Sequence, residues 1–556
     1  MASANHSDSQ PQIAELASTA LLLSSLSACT GGGGGTDAGE PPPPSPRADI
    51  SEQQAARFLQ QAALSSTEAE IAAVRGYGYD GWLERQLALP HSQSHWQWMA
   101  SRGYQEDANN ANNFNGADNT LWRKLIIAPD TLRQRVVLAL SEIFVVSMAG
   151  LPVAWRSFCI ANYVDVLDQQ AFGSYRQLLE AVTLSTGMGN YLNLRGNQKE
   201  DAKTGRVPDE NYAREVLQLF SIGLHQLNLD GSVVTGGNGQ PLESYTQDSI
   251  TGLARVFTGW DYDNYNRAEP GFQGRPLSFN AARHSTLEKR FLGVSIAAGT
   301  PGTDAMRTAL DTIANHPNVG PFFCRQLIQR LVCSNPSPAY IARVASVFNN
   351  NGKGVRGDLQ AVIKVILLDD EARRDPASQP ASWGKLREPV LRLVQWARTF
   401  GAASPNDVWN IGDTSDPSRR LGQSPLRSPS VFNFFRPGYV PPGTAFSSAG
   451  LVAPELQITN ESSVIGYINW MQSVIQSGAG EVKANYADWL AQASDAPALV
   501  NKLALLLAAG QLSSNTLSSI SNAVASINPS SDSARLNRIY AAILLVMACP
   551  EYIAFK

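Results

Sequence analysis

The sequence predicts a mainly α-helical protein, a large multi-helix domain with minor β-hairpin additions. Two observations predict it. From residue 48 onward, apolar residues recur every three or four positions in stretch after stretch, the period of a helix that buries one face. Strand signals are weak by comparison, and one Asp-Gly hairpin stands out. The 556 residues are 43% hydrophobic and 17% charged, a globular composition with enough apolar surface for a large core without disulfide staples.

The elements follow in chain order. Gln53 to Leu64 reads as the first helix, and Thr67 to Val74 as a short one with Thr67 and Glu70 in capping-box positions. Asp130 is placed to cap Thr131 to Ser147, TLRQRVVLALSEIFVVS, whose apolar residues surround nearly the whole circumference after Arg135 and predict burial. Further helices fit Tyr175 to Leu184, Pro208 to Leu224, Thr246 to Phe257, Asp304 to Ala314, Pro317 to Val332, Pro338 to Asn349, Gly357 to Leu368, Glu388 to Phe400 and Arg535 to Met547. Leu227 to Val234 reads as the hairpin, turning at Asp230-Gly231. Segments 231–241 and 261–279 read as long surface loops, and 402–425 as a division between two lobes of the 51–556 domain.

The first fifty residues differ. Leu16 to Ala28 is too short to span a bilayer and suits the apolar region of an export signal. Leu26-Ser27-Ala28-Cys29 resembles the lipobox of bacterial lipoproteins, in which the cysteine thiol takes the lipid. Residues 1–29 are therefore expected to be a signal-like leader and Cys29 a lipidation site that anchors the chain to a membrane. The Gly/Pro-rich 30–50 would be its tether. The leader departs from the usual pattern, with no Lys or Arg before the apolar stretch and with Asp8 and Glu15 present. The expected location is the cell envelope, as a periplasmic or outer-membrane lipoprotein; Thr30, rather than Asp, follows the cysteine and favours the outer membrane by resemblance.

Composition excludes other classes. A net charge of -4 gives no basic field for nucleic acid. No CxxC pair occurs among the five cysteines, and Cys324 and Cys333, roughly 13 Å apart along an α-helix, are too distant for a disulfide. No GxSxG or Walker signature is present. No metal site is assigned, since His91 and His95 are four apart without HExxH context, and the cofactor is left unknown.

Eight segments in consistent order carry a family resemblance: LRQRVVLALSEIFVVS (132–147), PDENYAREVLQLFSIGLHQLNLDGS (208–232), YTQDSITGLARVFTGW (245–260), HPNVGPFFCRQLIQRLVCSNPSPAYIARVASVF (316–348), GDLQAVIKVILLDDEAR (357–373), GKLREPVLR (384–392), SPSVFNFFRPGY (428–439) and LVAPELQIT (451–459). Together with the closing CPEYIAFK, they make the chain resemble the bacterial domain of unknown function 1800 family from about residue 50 to 556. The resemblance implies a large, frequently exported family without assigned catalytic residues. Genes of that family often neighbour one similar to alkaline phosphatases and sulfatases, so a partner of that kind is expected.

Candidate chemistry centres on the helix from Pro208. Glu210 and Arg214 are placed to pair, and Asn211 and Gln218 to flank Glu215. Buried there, Glu215 would have a raised pKa suited to acid/base work, or would belong to a polar network between helices. Glu210 or Asp248 is the second carboxylate, and His284 and His316 are assisting bases or turn-stabilising histidines. Gly259 suits a left-handed helix cap. Trp260 then flanks a cleft or plugs the helix end. Phe434 and Arg436 lie in an aromatic, proline-stiffened stretch that forms a binding wall or a cover for the core. Glu388 reads as a helix-start partner of Arg392. Two functions follow: an envelope enzyme acting on a polysaccharide or other polymer through carboxylate acid/base chemistry, or a non-catalytic binding or scaffold lipoprotein that partners a phosphatase/sulfatase-like protein.

Overall fold

A computed structural model describes residues 50–556, so the leader, Cys29 and most of the tether lie outside the described residues. The fold is mainly α, with 22 α-helical segments and three two-stranded antiparallel ribbons among the described residues. The described residues form one compact unit, and a single hydrophobic core draws on both sides of 402–425. None of the described helices is long and apolar enough to cross a membrane.

Caps set many of the helix boundaries. Ser51 and Thr67 close capping boxes on Glu52–Ala62 and Glu68–Leu87, and Ser337 caps Pro338–Asn349. The second helix runs well beyond the expected Val74, with a non-helical break at Gly78. The apolar helix after Asp130 is buried along its whole length but ends at Ser141, short of the expected Ser147. There Glu142 leaves the helix, and Met148 N–H bonds the Leu426 carbonyl.

The helix expected from Pro208 starts at Asn211 and, after Glu215, widens into a π-helical stretch, Val216–Ser221. Such widened turns disturb the regular side-chain register and often mark functional positions. Gly223, with φ 71°, then turns the chain so closely over Phe322 that a Cβ would lie 2.6 Å from its ring. The Asp-Gly turn follows, with Leu227 bridged to Val233. Buried Asn318 holds the hairpin's root, donating to the Ile222 and His225 carbonyls at 2.9 and 2.7 Å and accepting from Leu227 N–H at 3.0 Å.

Candidate functional site

The helix Val319–Leu331, the π-helical stretch 216–221, the root of the hairpin and the segment 431–440 enclose a groove of about 570 Å³, within the range of small-molecule sites. Its walls are apolar: Ile143, Leu219, Leu224, Phe322, Val431 and Phe432 contribute. Arg325 lies in the wall and Arg436 stacks on Phe432, 4.4 Å from the ring centroid. Neither guanidinium has a carboxylate partner among the described residues. Burial lowers the pKa of Arg325, the sign of a cation held partly out of water.

Glu142 and Arg330 also line the groove and belong to a buried ionic cluster. Arg135 and Glu142 come from helix 131–141 and its cap, Arg330 from helix 319–331, and Lys385 from the strand Lys385–Leu386. Glu388 precedes the helix Pro389–Thr399, and Glu455 lies in the 3-10 turn Pro454–Ile458. Lys385 Nζ lies 3.5 Å from Glu388 and 3.3 Å from Glu455, and Arg330 Nε lies 3.5 Å from Glu142. Arg135 and Lys385 both donate to the Arg330 carbonyl, at 2.6 and 2.8 Å, and Arg330 Nη2 donates to the Glu142 carbonyl at 2.9 Å. Backbone carbonyls thus absorb much of the cations' donor capacity, while Arg135 Nε, Arg330 Nε and one oxygen on each carboxyl make no hydrogen bond within the protein.

Burial sorts the carboxyls. Glu142 is driven well above the usual carboxylate range by burial first, then by the charge of Glu388 and the hydrogen bond to it, against Arg330 and Lys385. Burial also opposes ionisation of Glu388, but Lys385, the hydrogen bond with Glu142, Arg135 and Gln423 outweigh it and bring its pKa to about 2. Burial raises Glu455. With Glu142 protonated, the cluster's three cations outnumber its ionised carboxylates.

The carboxylates and histidines expected to form a shared cleft have separate surroundings, and none lines the groove. Glu215 is buried, its pKa is raised by burial, and one of its oxygens has no partner. Glu210 accepts from Gln247 at 2.8 Å, Thr251 at 2.9 Å and Arg214 at 3.4 Å, tying two helices together. Asp248 is exposed in the first turn of Gln247–Val256, and Asn211 donates its backbone N–H to the Asp209 carboxylate at 2.8 Å. His284 Nδ1 bonds the Thr258 carbonyl at 2.9 Å; burial lowers its pKa and its other nitrogen is unpartnered. His316 Nδ1 accepts from Asn318 N–H at 3.2 Å, a turn-stabilising role, and burial lowers its pKa too. Trp260 is buried against Phe279 and plugs the helix end, after Gly259 at φ 88°.

Of the expected wall residues, Arg436 lines the groove and Phe434 does not. Phe434 lines a cavity of about 20 Å³ beside Glu142. Glu388 bonds Gln423 at 2.8 Å rather than Arg392, whose Nε instead donates to the Arg387 carbonyl at 2.8 Å and whose guanidinium covers Tyr467. That corrects the expected Glu388–Arg392 pair: one turn of helix separates them, but the buried cations attract the carboxylate inward. His95, read as part of a loop, is buried at the first position of the helix His95–Ser101. The four described cysteines are free and buried, and no group of metal-ligating side chains occurs among the described residues.

A family model described as protein of unknown function (DUF1800) matches residues 57–554. No curated protein and no solved structure matches the chain.

Proposed function

The chain belongs to the DUF1800 family, and from the groove we propose that it binds an elongated apolar ligand with an anionic end. One observation carries the reading: the apolar walls hold the half-buried guanidinium of Arg325, with the exposed guanidinium of Arg436 beside it on Phe432, and neither has a carboxylate to neutralise it among the described residues. A cation that is partly dehydrated and unpaired gains from an anion more than an exposed one does. Glu142, held protonated in the lining, presents no repelling charge to the same head group. We place this activity on an envelope lipoprotein anchored through Cys29, a reading supported by the leader-like first residues. Partnership with a phosphatase- or sulfatase-like protein belongs to the same proposal and rests on the family resemblance.

A second reading keeps acid/base catalysis and moves it from Glu215 to Glu142. The observation favouring it is the pairing of a protonated carboxyl with an ionised one at the edge of the groove. Only Glu142 of the two lines the groove, and glycoside hydrolysis needs both carboxyls flanking the bond that is cut, so the pair does not suit that reaction.

The test is fluorescence titration of the full chain with a polyene fatty acid, with a long-chain alcohol and the non-fluorescent acid as competitors. Saturable binding, displaced by the acid and poorly by the alcohol, is expected. R325M should weaken it by about tenfold, the value of one charge-assisted contact. Absent binding, or equal displacement by alcohol and acid, overturns the reading.

A further inference from the structure

Away from the groove, the loop 261–279 builds a second cavity, of about 520 Å³. The loop is held firmly. Trp260–Asp261 pairs antiparallel with Ser278–Phe279, and Arg275 donates to the Asp263 and Asn264 carbonyls at 3.1 and 3.0 Å. Tyr262 and Tyr265 stack almost parallel, 5.4 Å apart at 14°, and both rest edge-on against buried Phe272. Tyr265 remains 54% exposed, so an aromatic surface is fixed in place and left open.

Around it stand three guanidiniums and one carboxylate. Arg195 and Arg283 share Asp261, at 3.2 and 2.6 Å, and Arg195 also covers the face of Tyr262. Arg267 donates to Asn112 at 3.2 Å and has no carboxylate partner among the described residues. The pocket therefore carries more positive charge than its own carboxylate offsets, although the whole chain is net negative.

We propose that this cavity is a subsite for an acidic saccharide. A fixed tyrosine face stacks on the C–H face of a sugar ring, and guanidinium forks match carboxylate or sulfate oxygens in pairs. The hydroxyl-bearing Ser278 and the amide of Asn280 line the same cavity and suit sugar hydroxyls. The site is independent of the groove and stands or falls separately.

Calorimetric titration of the full chain with tetragalacturonate, a sulfated tetrasaccharide and neutral cellotetraose tests it. At least one acidic saccharide should bind and the neutral one should not. Binding should weaken as salt rises, and Y265A and R267M should each weaken it by about tenfold. Both side chains are exposed on the loop, and an unchanged Tm in the variants verifies that the chain is intact. Failure of both acidic saccharides, equal binding of the neutral one, or acidic binding that survives both substitutions overturns the proposal.

Discussion

Glu142 and Glu388 belong to one buried cluster and are pushed in opposite directions, so their substitutions should differ in sign. Glu388 at about 2 lies below an unfolded glutamate near ~4.3. Its contribution is present in full above that value and is lost as pH falls toward about 2. Glu142 is raised, so its ionisation increasingly favours the unfolded chain as pH climbs above ~4.3. E388Q leaves Lys385 and Arg135 short of a counter-charge and should cost about 3–5 kcal/mol at pH 7 in denaturant unfolding. E142Q mimics the protonated acid and should match or exceed the parent's stability, most visibly at pH 8. The same E142Q protein separates the two functional readings: ligand binding kept with no loss of turnover on a polymer panel removes the acid/base one. The cluster was partly legible beforehand. Arg135 and Glu142 are seven apart in a stretch read as buried on nearly every face, and a carboxylate in such a place signals a network. Glu215 drew attention instead because its amide neighbours are close in sequence, whereas the partners of Glu142 lie 188 and more residues away.

Among the elements, strongly periodic helices were read closely from the sequence: Tyr175–Leu184 and Pro338–Asn349 form with the expected ends. The segments passed over had weaker signals. Ser514–Ala525 is rich in Ser and Asn, poor helix formers held here by the Ser513 cap and tertiary packing, and Arg156–Gln170 is buried around much of its circumference and shows little amphipathic contrast. The π-helical widening at 216–221 left no mark in composition, and neither did the close approach of Gly223 to Phe322, a residue about a hundred positions away. Close approach also fixes the helix Gln247–Val256, since a Cβ on Gly252 would collide with the Arg290 carbonyl in the strand Lys289–Phe291. G252A should therefore destabilise by about 1–3 kcal/mol or more despite the higher helix propensity of alanine, as measured by thermal unfolding. A neutral or stabilising result would show that the strand yields.

For the whole molecule, the expected division at 402–425 sits within one continuous core. That segment is bound down on the N-terminal helices: Trp98 donates to Asp407 at 3.0 Å, Asn119 to the Val408 carbonyl at 2.7 Å, and Trp122 to the Gly412 carbonyl at 3.0 Å. Such contacts join residues some 290 positions apart and cannot be read from local pattern. The described chain also closes on itself. Ala554–Phe555 pairs with Lys385–Leu386, and Arg57 donates to the Lys556 carbonyl at 2.9 Å. Removing residues 554–556 should lower Tm by a few degrees and weaken fatty-acid binding, because the strand that holds Lys385 in the ionic cluster loses its ribbon partner. Unchanged Tm and binding would mean that the cluster is held without that strand.

The groove is the central claim, and photolabelling with a diazirine-bearing palmitate followed by mass mapping tests it most directly. Labels should concentrate in residues 216–224, 319–331 and 431–440, and excess unlabelled palmitate should suppress them. Labels spread over the surface, or concentrated on segments remote from the groove and insensitive to competitor, would contradict it.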